Sequence, residues 1–126
     1  MTLVLDAGAF VAVERSERDV IAVIKQEQLA GRPPITHGGI VGQAWRKGGP
    51  RQAKLARLLR GVEVAPLDEA LGKQAGQLLA QCTRDDVIDA AVVQLATDGD
   101  EILTSDPGDL EELARAADLH IDLTPI

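Results

Sequence analysis

The sequence has few of the residues that stabilise small secreted domains or build zinc sites. Its 126 residues include a single cysteine, Cys82, and two histidines. One cysteine cannot form an internal disulfide, and no Cys or His pair has zinc-ligand spacing. A disulfide-stabilised fold and a structural zinc site are therefore unsupported, and we expect Cys82 to be a small buried side chain.

Aromatic residues and long apolar runs are also scarce. Phe10 and Trp45 are the only aromatic residues, so base stacking of the kind used by single-strand binders is poorly supported. We expect Trp45 in the core or at a partner interface. No segment approaches the roughly 18 consecutive apolar residues of a membrane-spanning helix, and a strand-like run rather than a signal sequence follows Met1. We therefore expect a cytoplasmic protein without a membrane partner.

The charge is divided unevenly along a chain of ordinary globular composition. Apolar residues make up 45% and charged residues 26%, and the length suits one domain over 1–126. The net charge is −7, but residues 1–60 hold ten Lys and Arg against five Asp and Glu, whereas residues 61–126 hold three against fifteen. A basic half can bind phosphate, and an acidic half needs a counterion.

Strand-like runs and helical periodicities alternate along the chain. The strand-like runs lie at 2–5, 62–65, 102–103 and 121–123. Helical patterns lie at 14–29, 36–45, 51–59, 68–81, 85–97 and 107–116, with Asp68 as an N-cap. This alternation predicts an α/β fold in which helices flank both faces of a central, mostly parallel sheet whose last strand lies at an edge.

Four aspartates occupy positions where such a sheet binds ligands. Asp6 and Asp106 each follow a strand-like run, and ligands gather at the carboxyl ends of parallel strands. Asp86 and Asp89 lie three residues apart on one face at the start of a helix. Each also fits a structural role, Asp86 and Asp106 as helix caps and Asp6 as a solvated strand end. Converging carboxylates would raise one another's pKa unless a cation lay between them, and oxygen ligands favour Mg²⁺ or Mn²⁺.

Four segments resemble the successive motifs of PIN-domain proteins, most closely the VapC-type toxins. They are LDAGAF at 5–10, IVGQAWR at 40–46, DVIDAA at 86–91 and LTSD at 103–106. The resemblance covers nearly the whole chain. It implies a PIN-like fold and the metal-dependent endonucleolytic cleavage of RNA, such as tRNA or rRNA, by a toxin under the control of a cognate antitoxin.

The resemblance also assigns roles to individual residues. It makes Asp6 the first metal ligand, Asp89 the acid that precedes two alanines, and Asp106 the acid that follows a Thr-Ser pair. Asp86 is an additional or competing ligand. The cofactor implied is Mg²⁺, with Mn²⁺ as the alternative.

The second motif departs from the family pattern at Gln43, where Glu is usual. A neutral amide removes one negative charge from the proposed metal site, although its carbonyl oxygen can still bind a metal directly or through water. Glu14 is a weak candidate to replace the missing acid. The departure leaves a second hypothesis open, that of a catalytically weakened PIN-like module that binds or regulates.

Basic residues suited to phosphate binding lie in residues 45–60, a stretch without acids. We expect Arg46, beside the second motif, to bind substrate together with Thr104 and Ser105. A solvated helix face is the alternative for these cations, which are Arg46, Lys47, Arg51, Lys54, Arg57 and Arg60. His37 is predicted in a loop and outside the acidic cluster, so activation of water is assigned to the metal. By the resemblance, the products would have 5′-phosphate and 3′-hydroxyl ends.

The expected protein partners also come from the resemblance, which implies a homodimer and an antitoxin helix bound in an apolar groove. Candidate groove residues, which are equally candidates for the core, are Val11, Val20, Ile24, Val41 and Trp45. A rival hypothesis is a receiver-type phosphoacceptor domain. It requires an acceptor Asp on a central strand, for which only Asp68 is available, and a late Lys, but no Lys follows Lys73.

Overall fold

A computed structural model describes residues 1–46 and 48–126, which form five strands and seven helices. Strands and helices alternate along these residues, as predicted. In chain order they are β1 (Leu3–Leu5), α1 (Ala7–Glu14), α2 (Arg18–Leu29), β2 (Ile35–His37), α3 (Gly38–Ala44), α4 (Pro50–Leu59), β3 (Glu63–Ala65), α5 (Glu69–Leu79), α6 (Val87–Leu95), β4 (Glu101–Thr104), α7 (Pro107–Ala116) and β5 (Asp122–Pro125).

The five strands form one parallel sheet in the order β3-β2-β1-β4-β5. Central strand β1 has no exposed surface at Leu3, Val4 or Leu5. Successive side chains of a strand point to opposite faces, so burial of all three shows that both faces are covered. The predicted α/β fold is confirmed, and β5 lies at an edge of the sheet as expected.

The order of the strands creates a crevice between β1 and β4. From β1 the chain proceeds outward to β2 and β3 on one side, and then returns to β4 on the other side. The pair is in register, with Leu5 opposite Leu103, and the Asp6 amide donates to the Leu103 carbonyl at 3.1 Å. Ligands of parallel sheets bind at such a reversal, outside the carboxyl ends of the strands.

Two elements near the N-terminus differ from the prediction. The helix expected over 14–29 begins later, as α2 at Arg18, and an unpredicted helix, α1, precedes it, the two being separated at Ser16, which has a φ of 58°. Helix α1 buries Ala9, Phe10, Ala12 and Val13, and a helix that is apolar nearly all round shows no amphipathic period. Strand β2 was not predicted, since three residues are too few for an alternation to be visible.

Three single-residue expectations also have an outcome here. Asp68 caps α5 as predicted, accepting from the Leu71 amide at 3.0 Å. Cys82 is half-buried and packs on the core, whereas Trp45 remains 44% exposed and is not a core residue. In the described part of the chain, no helix is both long and apolar enough to cross a membrane.

Candidate carboxylate site at the sheet edge

Asp6 is a buried carboxylate held by two hydrogen bonds. It follows β1 and caps α1, where Oδ1 accepts from the Ala7 amide at 2.8 Å. Its Oδ2 accepts from the Thr104 hydroxyl at 2.7 Å. Only 6% of the residue is exposed, so the alternative of a solvated strand end is wrong. Two donors therefore hold the carboxylate in a fixed position.

Thr104 joins two of the candidate acids. Its hydroxyl donates to Asp6 and accepts from the Asp106 amide at 3.0 Å. The residue ends β4 and is completely buried. Since the side chain has no exposed surface and its hydroxyl is paired twice, the structure argues against the predicted contact of Thr104 with substrate. Its hydroxyl instead fixes Asp6 relative to the start of α7.

Asp106 and Ser105 lie on the exposed side of the same junction. Asp106 occupies the N-cap position of α7, but its side chain makes no cap hydrogen bond, so the predicted capping role is wrong. Ser105 Oγ donates to Asp106 Oδ2 at 3.4 Å. A Cβ at Gly8 would lie 2.8 Å from Ser105 Oγ, so a glycine is needed where α1 approaches this turn. Substrate binding by Ser105 stays a prediction.

Asp86 and Asp89 begin α6 and have different environments. Asp86 caps the helix as predicted, accepting from the amides of Ile88 at 2.8 Å and Asp89 at 3.2 Å. Asp89 is partly buried, and burial followed by the charge of Asp86 raises its pKa to about 6. The charges of Asp6, Asp109 and Asp106 add to this. Carboxylates from β1, α6 and α7 therefore act on Asp89 together.

The described residues contain no group of three or more His, Cys, Asp or Glu already arranged to hold a metal ion. The donor chemistry nevertheless fits Mg²⁺, which prefers oxygen, keeps several of its waters and is commonly bound through one or two carboxylates plus substrate phosphates. Burial and the charge of Asp86 raise the pKa of Asp89, and a bound cation would stabilise the ionised form of this carboxyl. The arrangement fits an ion held by part of the acidic set.

Gln43 and Glu14 share a groove with two arginines from the basic stretch. Gln43, near the end of α3, is exposed, and Arg46 Nε donates to its backbone carbonyl at 2.9 Å. The groove has a volume of about 550 Å³ and includes Arg51. Asp6, Asp86, Asp89 and Asp106 are not among its lining residues. Lys47 lies outside the described residues.

Of the remaining cations of the basic stretch in the described residues, two line a second groove and Arg60 lines neither. Lys54 and Arg57 line a second groove of about 450 Å³, between α4 and the α1–α2 pair. Its apolar lining is Val13, Ile21, Ile24 and Leu58. Of the five residues predicted to line a partner groove, Ile24 lies here, Val11 lines the Gln43 groove, and Val20 is buried in the core.

His37, Asp109 and its ion-pair partner Arg84 were not assigned a role in the site by the sequence analysis. His37, predicted in a loop, ends β2 and is completely buried, so that prediction is wrong. Asp109 is in the first turn of α7 and is paired with Arg84 at 2.9 Å. The signal for His37 was its position after Ile35 and Thr36, a β-branched pair that was too short to be recognised as a strand.

Comparison with solved structures identifies the fold. A chain in the crystal structure of VapBC2 from Rickettsia felis, bound to a DNA fragment from their promoter, matches with a TM-score of 0.68. The match covers 97% of this chain and 98% of that chain at 14% sequence identity. The fold is PIN-like. No protein-family model matches the sequence, and no curated protein matches it.

The PIN-like topology excludes the receiver hypothesis. In the flavodoxin-like order of receiver domains, the first strand lies between the second and third. Here β1 lies between β2 and β4. Asp68 follows β3, which is an edge strand, and therefore cannot be the central phosphoacceptor.

Proposed function

We propose that this protein is a metal-dependent endoribonuclease and the toxin of a toxin–antitoxin pair. The observation that supports this most is that Thr104 links Asp6 to Asp106 beside the β1–β4 crevice of a PIN-like fold, and that the charges of both acids act on Asp89. Carboxylates at this edge can bind a divalent cation, and such a cation can activate the attacking water and neutralise the charge that develops on a phosphodiester during hydrolysis.

In the proposed mechanism, Asp6, Asp89 and Asp106 would hold Mg²⁺, or Mn²⁺ in its place, with Asp86 as an additional ligand. When bound, the ion would lower the pKa of a water and neutralise charge on the phosphate. Asp6 sets the position, because Ala7 and Thr104 fix both of its oxygens. The pKa of Asp89 is raised, so its ionised form is the one that a nearby cation would stabilise. The family resemblance implies products with 5′-phosphate and 3′-hydroxyl ends.

Substrate RNA, for instance tRNA or rRNA, would enter through the groove that contains Gln43, Arg46 and Arg51. Two guanidinium groups on its wall provide phosphate contacts that offset repulsion by the aspartates. Glu14 lies in the same groove, where its negative charge would reduce the area of positive potential. We do not propose that it replaces the Glu that is usual in the second motif of the family. The scarcity of aromatic residues favours recognition of backbone shape over base stacking.

The groove between α4 and the α1–α2 pair is the site we assign to a cognate antitoxin. An apolar floor with Lys25, Lys54 and Arg57 at its rim suits an amphipathic segment with acidic residues. The similar chain in the R. felis structure belongs to VapBC2, a complex bound to promoter DNA. A homodimer remains part of the proposal on the family resemblance, and a cytoplasmic location remains a prediction from the sequence.

The second candidate is a PIN-like module with weakened catalysis. Two observations favour it, namely Gln43 in place of an acid and the absence, among the described residues, of a preformed three-ligand group. Gln43→Glu discriminates between the two functions. In an active nuclease this substitution increases cleavage that already exists, whereas in a weakened module it creates cleavage that the natural protein lacks.

The decisive experiment is cleavage of a mixed RNA pool by purified, antitoxin-free protein with Mg²⁺ or Mn²⁺. Parallel reactions contain EDTA, or the variant Asp6→Asn, which keeps the size of the side chain and removes its charge. Cleavage that is lost in both reactions supports the nuclease. Cleavage that survives Asp6→Asn reveals a contaminant, and no cleavage by natural protein supports the binding module.

A further inference from the structure

His37 lies between two helices that contain candidate site residues. It is the last residue of β2, occupies the N-cap position of α3 and is completely buried. Helix α3 contains Gln43, and α6 is capped by Asp86 and contains Asp89. A side chain that joins the first turns of these helices can set the distance between the second and third motifs.

Both ring nitrogens of His37 are hydrogen-bonded. Nδ1 accepts from the Gly39 amide at 3.0 Å, and Nε2 lies 3.0 Å from the carbonyl oxygen of Ile88. Since Nδ1 accepts a hydrogen bond it has no proton, so Nε2 has the proton and donates to Ile88. The ring is therefore a neutral imidazole in one tautomer, and burial lowers its pKa.

Gly39 allows the close contact between this ring and α6. A Cβ at Gly39 would lie 2.5 Å from Ile88 Cδ1 and 2.8 Å from His37 Cε1. Atoms cannot approach so closely, so any larger residue would displace Ile88 or the imidazole. The steric fit and the hydrogen bonds thus involve the same three residues.

We propose that His37, Gly39 and Ile88 form a clasp that positions the carboxylates of α6 relative to α3. The Ile88 carbonyl lies one residue before Asp89 and two after Asp86, so the clasp fixes the turn that presents both acids. His37 is a positioning residue, since its ring is buried and fully paired. The inference rests on the proposed function only where cleavage is the readout.

Two substitutions separate the hydrogen bonds of the clasp. His37→Asn retains an acceptor near Nδ1 for Gly39, but it is too short to reach Ile88. His37→Gln places a carboxamide N–H near Nε2 and retains the bond to Ile88. Gly39→Ala tests the same contact without changing the imidazole. His120→Gln, at an exposed histidine, and Leu55→Ala, a buried change on α4, are controls for chemistry and stability.

Amide hydrogen exchange over residues 88–92 of the intact protein is the readout that does not depend on nuclease activity. We expect His37→Asn and Gly39→Ala to accelerate this local exchange about tenfold relative to the rest of the core. His37→Gln should stay near the natural rate. Leu55→Ala should lower overall stability without a selective change at 88–92, and His120→Gln should change neither.

RNA cleavage provides the second readout. For His37→Asn we expect kcat to fall about tenfold with KM within about twofold, because the reacting acids move while the substrate groove does not. Partial rescue by His37→Gln supports positioning. Unchanged local exchange in both His37→Asn and Gly39→Ala overturns the clasp, as does an equal selective effect of Leu55→Ala. Natural protein without nuclease activity contradicts the proposed function, and the exchange data still decide the clasp.

Discussion

Two regions that contain candidate site residues, one beside β1 and β4 and the other beside α3 and α4, are built differently. On the β1–β4 side, Asp6 and Thr104 are buried and linked by short hydrogen bonds to each other and to the backbone. On the α3–α4 side, Gln43 and Arg46 are exposed, and the one hydrogen bond described between them joins Arg46 to a backbone carbonyl. The first side is fixed by the core, whereas the second is a surface on which residues can vary at little cost to folding. The departure from the family pattern falls on the second side.

The largest expected effect is that of Asp106→Asn on cleavage. Asp106 is exposed and its side chain does not cap α7, so the fold does not depend on its charge. We expect cleavage to fall by about 10³, or about 4 kcal/mol of transition-state stabilisation. We expect the free energy of unfolding to change by less than about 0.5 kcal/mol. Cleavage rates and urea unfolding curves, measured on one preparation, test both expectations. A large loss of stability would contradict the expectation that the charge of Asp106 serves cleavage and not folding.

Thr104→Val tests the buried region beside β1 and β4. Valine keeps the shape but leaves Asp6 Oδ2 and the Asp106 amide without their partner. We expect a loss of about 1–3 kcal/mol in the free energy of unfolding, measured by urea denaturation. Thr104→Ser keeps the hydroxyl and should recover most of that loss. Equal stabilities for the two variants would show that the hydroxyl contributes little.

Asp89 should make stability depend on pH. Its pKa is raised to about 6, so the folded protein binds a proton that the unfolded chain releases, and stability should fall as pH rises through the range from about 4 to 6. Asp89→Asn removes the cost of burying this charge near other acids and should stabilise the protein at pH 7–8 by on the order of 2 kcal/mol while reducing cleavage. Urea unfolding at pH 4 and pH 8, at constant ionic strength, measures the difference. Destabilisation at pH 8 would contradict the raised pKa of Asp89.

The smallest effect is expected for Arg46→Ala on the exposed side. Loss of one phosphate contact should weaken RNA binding about equally for all sequences and reduce the slope of log K against log salt by about 0.7–1. Arg60→Ala, another exposed arginine that lines neither groove, is the matched control. Binding measured at several salt concentrations with a catalytically inactive variant gives the slope. An unchanged slope would remove Arg46 from the proposed substrate path.

Features with local signals could be predicted from the sequence. An acid directly after an apolar run located Asp6 at the end of β1, an acid shortly after such a run located Asp106 near the end of β4, and Asp-Pro at 106–107 located the start of α7. Cap chemistry located the starts of α5 and α6 at Asp68 and Asp86. Each of these signals acts over a few residues, so it can be recognised without knowledge of the rest of the chain.

Features that depend on contacts between distant segments could not be predicted from the sequence and are set by the fold. Strand β2 exists because it pairs with β1 and β3 on either side, and α1 has no periodic pattern because nearly every side of it is buried. The burial of His37, the raised pKa of Asp89 and the division of the basic stretch between two grooves likewise depend on elements far apart in sequence. Burial and electrostatic interactions are properties of neighbours in space, and the fold alone brings those neighbours together.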